Sequence, residues 1–210
     1  MLTRKGSRLT RTRGLGPFKV ALIGAHGTGK TTLANRALAD LTNMLGNVSV
    51  ALCPEIPRII CTAVGDSEYL RRENNSLEKQ LTLLIGQESY EAVLQAQNDV
   101  LICDRSVLDH WAYTLNLFGS TMQRGIRETI GLFVRLHMST YDRVGYVPIE
   151  FAPADDGTRE ADGDFQNKVD EIIVELLAEH EIPYETYRGS VDSRTQKLCA
   201  GISALFRTPA

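Results

Sequence analysis

The run GAHGTGKTT, Gly24 to Thr32, constrains this chain more than any other stretch. It fits the phosphate-binding pattern G-x-x-x-x-G-K-[ST] at Gly24, Gly29, Lys30 and Thr31. Glycines let a backbone wrap closely round a phosphate chain and turn its N–H groups inward. Gly24, Ala25, His26, Gly27, Thr28 and Gly29, with Lys30, Thr31 and Thr32, are therefore the candidate cradle for a nucleotide. Lys30 has the reach for the β- and γ-phosphates, and the Thr31 hydroxyl suits Mg²⁺, so ATP and Mg²⁺ are the expected cofactors. His26 stands at a position the pattern leaves free. The flanks agree with the loop. KVALIG (Lys19 to Gly24) reads as a short buried strand and TTLANRALADL (Thr31 to Leu41) as a helix, whose N-terminus favours anions.

Strand-like and helical patterns alternate along the rest of the chain. Strands are expected at Ser49–Glu55, Asp99–Asp104, Arg143–Ile149 and Tyr184–Gly189. Helices are expected at Ser76–Gln97 with Ser76 as N-cap, at Val107–Phe118, at Arg127–Ser139, at Asp164–His180 and from about Asp192. That alternation implies βαβ units, a parallel sheet and one three-layer α/β domain over residues 18–210. With 210 residues, 43% of them hydrophobic, the chain can bury a sizeable core. No apolar run approaches the roughly 18 residues that span a bilayer, so no membrane association is expected. Cys53, Cys61, Cys103 and Cys199 show neither zinc nor disulfide spacing, which suits a reducing, cytoplasmic setting.

The net charge of −3 is unevenly spread. Residues 1–17 form a basic arm carrying Arg4, Lys5, Arg8, Arg11 and Arg13 and no acid. Three readings of it stay open: a solvated tail, a nucleic-acid contact through phosphate neutralisation, or a mitochondrial transit segment.

Four further positions carry candidate chemistry. Asp104 ends an apolar strand beside the phosphate loop, where a carboxylate can hold Mg²⁺ or its waters. Arg105 follows it, where many phosphate-loop ATPases carry a water-polarising Glu; a cation there suits an acceptor better than hydrolysis. Glu55 ends the second strand at the ligand edge of the sheet, in a turn framed by Pro54 and Pro57, and can take a proton from an acceptor hydroxyl, with Arg58 as an anchor. Arg159 lies in the polar stretch 152–164, a candidate lid that would bring a cation to the transferring phosphoryl group. Gln87, Glu88 and Tyr90, with His110, Trp111 and Tyr113, are either an acceptor pocket or ordinary core. NKVD (Asn167 to Asp170) and DRVG (Asp142 to Gly145) mimic guanine-nucleotide motifs, but NKVD sits in a helical pattern and the spacing is wrong for a GTPase.

The ordered set GAHGTGKTT, PEIPR, LICDRSVLDHWAY, DGTREADGDFQNKVDEII and YRGSVDSR resembles an AAA-type P-loop kinase domain related to bacterial nicotinamide-riboside kinases. More distantly it resembles deoxynucleoside and thymidylate kinases. The resemblance spans about residues 18–208. It implies a nucleoside-monophosphate-kinase-like fold with sheet order 2-3-1-4-5. It also implies a carboxylate acting on the acceptor hydroxyl at Glu55, an Asp-Arg pair at Asp104 and Arg105, a lid around Asp156, Gly157 and Arg159, and an adenine-side region at Gly189 and Arg194. Glu55, Arg58, Gln87 and Arg105 are the expected acceptor residues. The chain departs from nicotinamide-riboside kinases in lacking a tryptophan ahead of DGTR, and the basic arm has no counterpart in small-nucleoside kinases. The expected function is phosphotransfer from ATP to a hydroxyl of a nucleoside- or nucleotide-like acceptor. The alternatives are a kinase acting on a hydroxymethylated base within DNA and an ATPase regulating a partner. A homodimer is left open.

Overall fold

The apolar strand ahead of the phosphate loop becomes β1 (Phe18–Ile23), and every residue of it is buried. The computed structural model describes residues 17–150 and 162–206. Residues 1–16 of the basic arm, and Asp156, Gly157 and Arg159 of the expected lid, lie outside them. The remaining strands are β2 (Val50–Cys53), β3 (Val100–Asp104), β4 (Arg143–Tyr146) and β5 (Glu185–Thr186). All pairings are parallel, in the order β2-β3-β1-β4-β5. Buried on both sides, β1 and β3 form the centre, which is why both read as unbroken apolar runs.

Strand alternation sorts side chains to two cores. Phe18, Val20 and Leu22 of β1, with Val100 and Ile102 of β3, pack beneath α1 (Lys30–Leu45) and α7 (Val191–Ser203). Ala21 and Ile23, with Leu101 and Cys103, pack on the other face. That face is covered by α3 (Leu77–Gln95), α4 (Val107–Phe118), α5 (Arg124–Met138) and α6 (Gly163–Glu179). The three-layer expectation and the strand order both hold.

The main departure lies after β2. The expected strand through Glu55 stops at Cys53, and the expected turn is a helix, α2 (Ile56–Val64). Glu55 is its N-cap, and Pro57 sits in its first turn, where a missing N–H costs nothing and the fixed φ suits a helix. Reading Pro57 as a turn signal overlooked that use of proline. The fourth and fifth strands are also shorter than expected, ending at Tyr146 and Thr186. Ser76 caps α3 as expected, its side chain accepting from the Lys79 N–H. Asn167 to Asp170 lie within α6, so no guanine-reading loop forms there. No helix among the described residues is long and apolar enough to cross a membrane.

Because β1 is flanked by β3 on one side and β4 on the other, the chain changes direction across the sheet at its C-terminal end. Ligands of open α/β sheets bind at such a switch point. The phosphate loop leaves β1 there, and Asp104 leaves β3 beside it, paired in register with Leu22.

Candidate functional site

The phosphate loop is held by contacts that require its glycines. Gly24 has φ +146°, and a Cβ on it would sit 2.3 Å from the Val147 carbonyl oxygen. Its N–H donates to Asp109 Oδ1 at 3.0 Å. Gly29, at φ +88°, is the N-cap of α1, so the helix N-terminus opens onto the loop. Lys30, the first residue of α1, donates through Nζ to the carbonyls of Gly24 (2.7 Å) and Ala25 (2.5 Å) and to Thr28 Oγ1 (3.3 Å). The ammonium is thus kept inside the curl of the loop. Thr31 and Thr32 follow on the first turn with exposed side chains.

Alternation splits the Asp104-Arg105 dipeptide between the two faces of the sheet. Asp104 continues the row of Val100 and Ile102, on the α1 side. Its Oδ1 is buried with no hydrogen-bond partner, the condition of a carboxylate suited to a cation or its water. No group of three or more His, Cys, Asp or Glu among the described residues could hold a metal. The lone Asp104 carboxylate, with the Thr31 hydroxyl, is a donor set that suits Mg²⁺, which takes one or two protein oxygen ligands and completes its shell with phosphates and water.

Arg105 is sent to the opposite face, where Cys103 pairs in register with Cys53 of β2. Two residues beyond that pair, Arg105 Nε donates to Glu55 Oε1 at 2.8 Å. Glu55 Oε2 accepts from Arg58 Nε at the same distance. Glu55 and Arg105 are both nearly fully buried, so their charges meet at low dielectric. Arg105 has φ +90°, which strains a non-glycine residue by about 1–3 kcal/mol. Three contacts hold it there. Its N–H donates to the Leu22 carbonyl (3.0 Å), its own carbonyl accepts from Gln87 Nε2 (3.3 Å), and its guanidinium lies 5.2 Å from the centre of the Tyr113 ring.

Gln87 stands behind the cavity rather than in it. It is fully buried, with Nε2 donating to Glu91 Oε1 at 2.7 Å. Glu91 also accepts from Lys19, His137 and Tyr141. Burial pushes the Glu91 carboxyl up, but His137, Lys19, Gln87 and Tyr141 together hold it down at about 2. An ionised Glu91 only accepts, which fixes the Gln87 amide with its oxygen toward His110 Nε2 at 3.2 Å. Burial, then the nearby Arg105, lowers His110 to about 3. His110 is therefore neutral and carries its proton on Nε2. A buried polar chain thus runs from Glu91 through Gln87 to the Arg105 carbonyl.

Between α2, α3, α4 and the start of α6 lies a cavity of ≈ 130 Å³. His26 of the phosphate loop lines it together with Arg58, Arg105, His110, Tyr113 and Phe165. His26 and Tyr113 clasp each other: the His26 N–H donates to the phenol oxygen at 3.0 Å, which faces His26 Nδ1 at 2.9 Å. Of the expected pocket residues, His110 and Tyr113 line the cavity; Glu88, Tyr90 and Trp111 do not. Gln80, two helical turns before Gln87, does. Its Nε2 donates to Asn75 Oδ1 at 2.9 Å.

Arg194 is buried on the far side of the loop. It donates through Nη1 to the Thr28 carbonyl at 3.0 Å and through Nη2 to Glu150. Glu150 also accepts from the Gly189 N–H. Arg194 thereby ties the loop to the end of β4 and to the turn before α7.

Sequence reading missed Asp109, Gln80 and the His26–Tyr113 clasp. Asp109 had a signal: Ser106-x-x-Asp109 forms a capping box on α4, and its spare oxygen reaches Gly24. Gln80 and the clasp had none, because a helical face does not declare which neighbours it meets.

A family model described as an AAA domain matches residues 19–194. No curated protein sequence matches the chain at a significant level. Among solved structures, deoxyadenosine kinase from M. mycoides, with dCMP and dCDP bound, aligns at a TM-score of 0.64 and 15% identity over 90% of this chain and 100% of that one. The NadR protein in complex with NR aligns at 0.64 and 18% identity, over 90% of this chain but 52% of that one. Thymidylate kinase from Ehrlichia chaffeensis aligns at 0.59 and 14% identity, over 90% and 100%. These likenesses show a shared fold.

Proposed function

We propose that the chain, which belongs to that AAA domain family, is an ATP-dependent phosphotransferase acting on a hydroxyl of a nucleoside- or nucleotide-like acceptor. One observation carries the reading: a single cavity is walled by His26 of the phosphate loop and by Arg105 and Arg58, both partners of Glu55. A donor phosphate on the loop and a hydroxyl near Glu55 would therefore share one cavity, which supplies proximity. The fold's likeness to kinases for nucleosides and nucleotides supports the same class.

In this reading the loop N–H groups and Lys30 hold the β- and γ-phosphates, with Lys30 exchanging loop carbonyls for phosphate oxygens. Thr31 and Asp104 would hold Mg²⁺, which neutralises phosphate charge when bound. Glu55 takes the proton of the acceptor hydroxyl while the oxygen forms its bond to the γ-phosphorus and the bond to the β-bridging oxygen breaks. Arg105 fixes Glu55 and is itself fixed by Gln87. Arg159 is the candidate lid cation and Arg194 the adenine-side candidate.

The test is ADP production from Mg-ATP with and without a panel of acceptors: nucleosides, deoxynucleotides, nicotinamide riboside, and DNA with and without hydroxymethylated bases. Lys30→Ala serves as the control. Release that depends on one acceptor supports the kinase and names its class. Slow release indifferent to every acceptor replaces it with a regulatory ATPase.

A further inference from the structure

We propose that the acceptor carries a phosphate of its own, distinct from the hydroxyl to be phosphorylated, and that Arg71 binds it. The acceptor class is then a nucleotide unit rather than a bare nucleoside. This rests on the kinase reading above and sharpens it.

The charge of the described cavity wall is one-sided. Among the described residues Arg58, Arg71, Arg72 and Arg105 line it, and no carboxylate does. The described acids that pair with these arginines are not part of that lining. Glu55 serves both Arg105 and Arg58, Glu68 meets Arg71, and Asp162 meets Arg72. Among the described residues the cavity face of the wall is thus cationic. Exposure grades it further. The Arg105 side chain is 4% exposed and those of Arg71 and Arg72 are 31% and 39% exposed, so the cations span from the Glu55 end to the solvent side.

Arg71 carries the sharpest signal. Its Nε is buried and donates to nothing, although a guanidinium nitrogen stripped of water normally finds an acceptor. Its Nη1 reaches Glu68 at 3.1 Å, and the side chain lines the cavity. A phosphate oxygen is the acceptor that best fits a guanidinium fork.

The wall is also built, not loose. Lys79 Nζ donates to the carbonyls of Tyr69 (2.9 Å) and Asn74 (2.5 Å). Asn75 Nδ2 donates to the Leu70 carbonyl at 2.9 Å, and Gln80 holds Asn75 in turn. The backbone on either side of Arg71 and Arg72 is thereby fixed to α3. Tyr113 and Phe165, whose rings lie 5.9 Å apart, give the same cavity an aromatic wall for a planar base. Aromatic faces, a buried carboxylate for a hydroxyl and a cationic outer wall together match base, sugar and phosphate.

Free nucleotides and the phosphodiesters of a nucleic-acid strand present the same chemistry, and the experiment separates them. Calorimetry would compare each deoxynucleoside with its 5′-monophosphate, and a short single-stranded oligodeoxynucleotide with both, on the full chain. The expected result is at least about tenfold tighter binding of a phosphate-bearing member. Arg71→Gln should erase that preference and Arg71→Lys should keep part of it. Glu68→Gln should preserve or strengthen it, whereas a purely structural Glu68–Arg71 pair would fail equally in both variants. Preference for the oligonucleotide over every free monophosphate would assign the phosphate to a strand; the reverse would assign it to a free nucleotide. The proposal is overturned by a nucleoside that binds and drives ADP release as well as its monophosphate, by an Arg71→Gln protein with unchanged preference, or by no binding of any phosphate-bearing member. The first of these leaves the kinase reading standing. Acceptor-indifferent ADP release would remove that reading while calorimetry still reports the Arg71 site.

Discussion

On the β1 side of the sheet edge, one uninterrupted run, Gly24 to Thr32, supplies the whole candidate phosphate cradle, most of it backbone. On the β2–β3 side, the candidate acceptor site draws side chains from five places: Glu55 and Arg58 at α2, Arg71 and Arg72 before α3, Gln80 on α3, Arg105 and Tyr113 at α4, and Phe165 on α6. The first is local and tolerates no change of backbone. The second is assembled by packing and can change its chemistry residue by residue. A fold built this way keeps one donor and is free to vary the acceptor.

The largest expected effect breaks the local half. Lys30→Ala should cut acceptor-dependent ADP release by roughly 10³–10⁵, the range seen for cations that neutralise transferring phosphoryl charge. Thermal unfolding should be little changed, because the lysine's partners are loop carbonyls that water can reach once it is gone. Full activity in this variant would remove the loop from the chemistry.

Glu55→Gln attacks the assembled half. It should lower kcat by about 10²–10⁴ while leaving the affinity for ATP nearly untouched. If turnover falls because the Arg105 geometry has collapsed, KM for the acceptor rises with it; an isolated loss of kcat identifies the carboxylate as proton acceptor.

Those two halves differ just as much in how legible they are in the chain. The shape of the loop was readable, because backbone torsions such as Gly24 φ +146° and Gly29 φ +88° demand glycine at fixed spacing. Asp104 and Arg105 were also readable, as polar residues ending an apolar strand. Their separation onto opposite faces follows from strand alternation, but their partners do not. Gln87 was expected at the acceptor; it lies one layer behind the cavity, holding the Arg105 carbonyl, and both positions are the same helix face seen from sequence. Gln80 and Arg71 went unnoticed because nothing local marks a residue that becomes important only when α2 and α3 meet. The helix after β2 was missed through Pro57, whose meaning depends on whether it opens a helix or a turn.

The layer behind the acceptor wall yields the next prediction. Glu91 has its folded pKa depressed from 4.5 to about 2, so its stabilising contribution is complete above 4.5 and is lost as pH falls toward 2. The shift corresponds to a contribution on the order of 3 kcal/mol. Glu91→Gln should remove that part of the acid limb in urea titrations. At pH 7 it should also destabilise the protein by roughly 3–5 kcal/mol, because Lys19 is left buried and unpaired. An acid limb identical to the wild type would mean that other carboxylates set the acid stability.

The smallest effect tests whether the acceptor wall can be retuned without disturbing the fold. Asp162 does two jobs: its Oδ1 caps α6 through the Phe165 N–H at 3.0 Å, and its Oδ2 accepts from Arg72 Nη2 at 2.6 Å. The Phe165 N–H and then Arg72 hold its carboxyl below the usual range. Asp162→Asn keeps a capping oxygen and removes the charge, so it should leave the urea midpoint nearly unchanged, whereas Asp162→Ala loses the cap and should lower the midpoint measurably. Both release Arg72 from a counterion while its guanidinium stays 4.0 Å above the Phe165 ring. Affinity for a phosphate-bearing acceptor should therefore rise in both variants by a similar, few-fold factor, and affinity for ATP in neither. A rise confined to Asp162→Asn would trace the effect to α6 rather than to Arg72. A matched rise would show that the acceptor side can be altered one charge at a time while the phosphate cradle stays as it was.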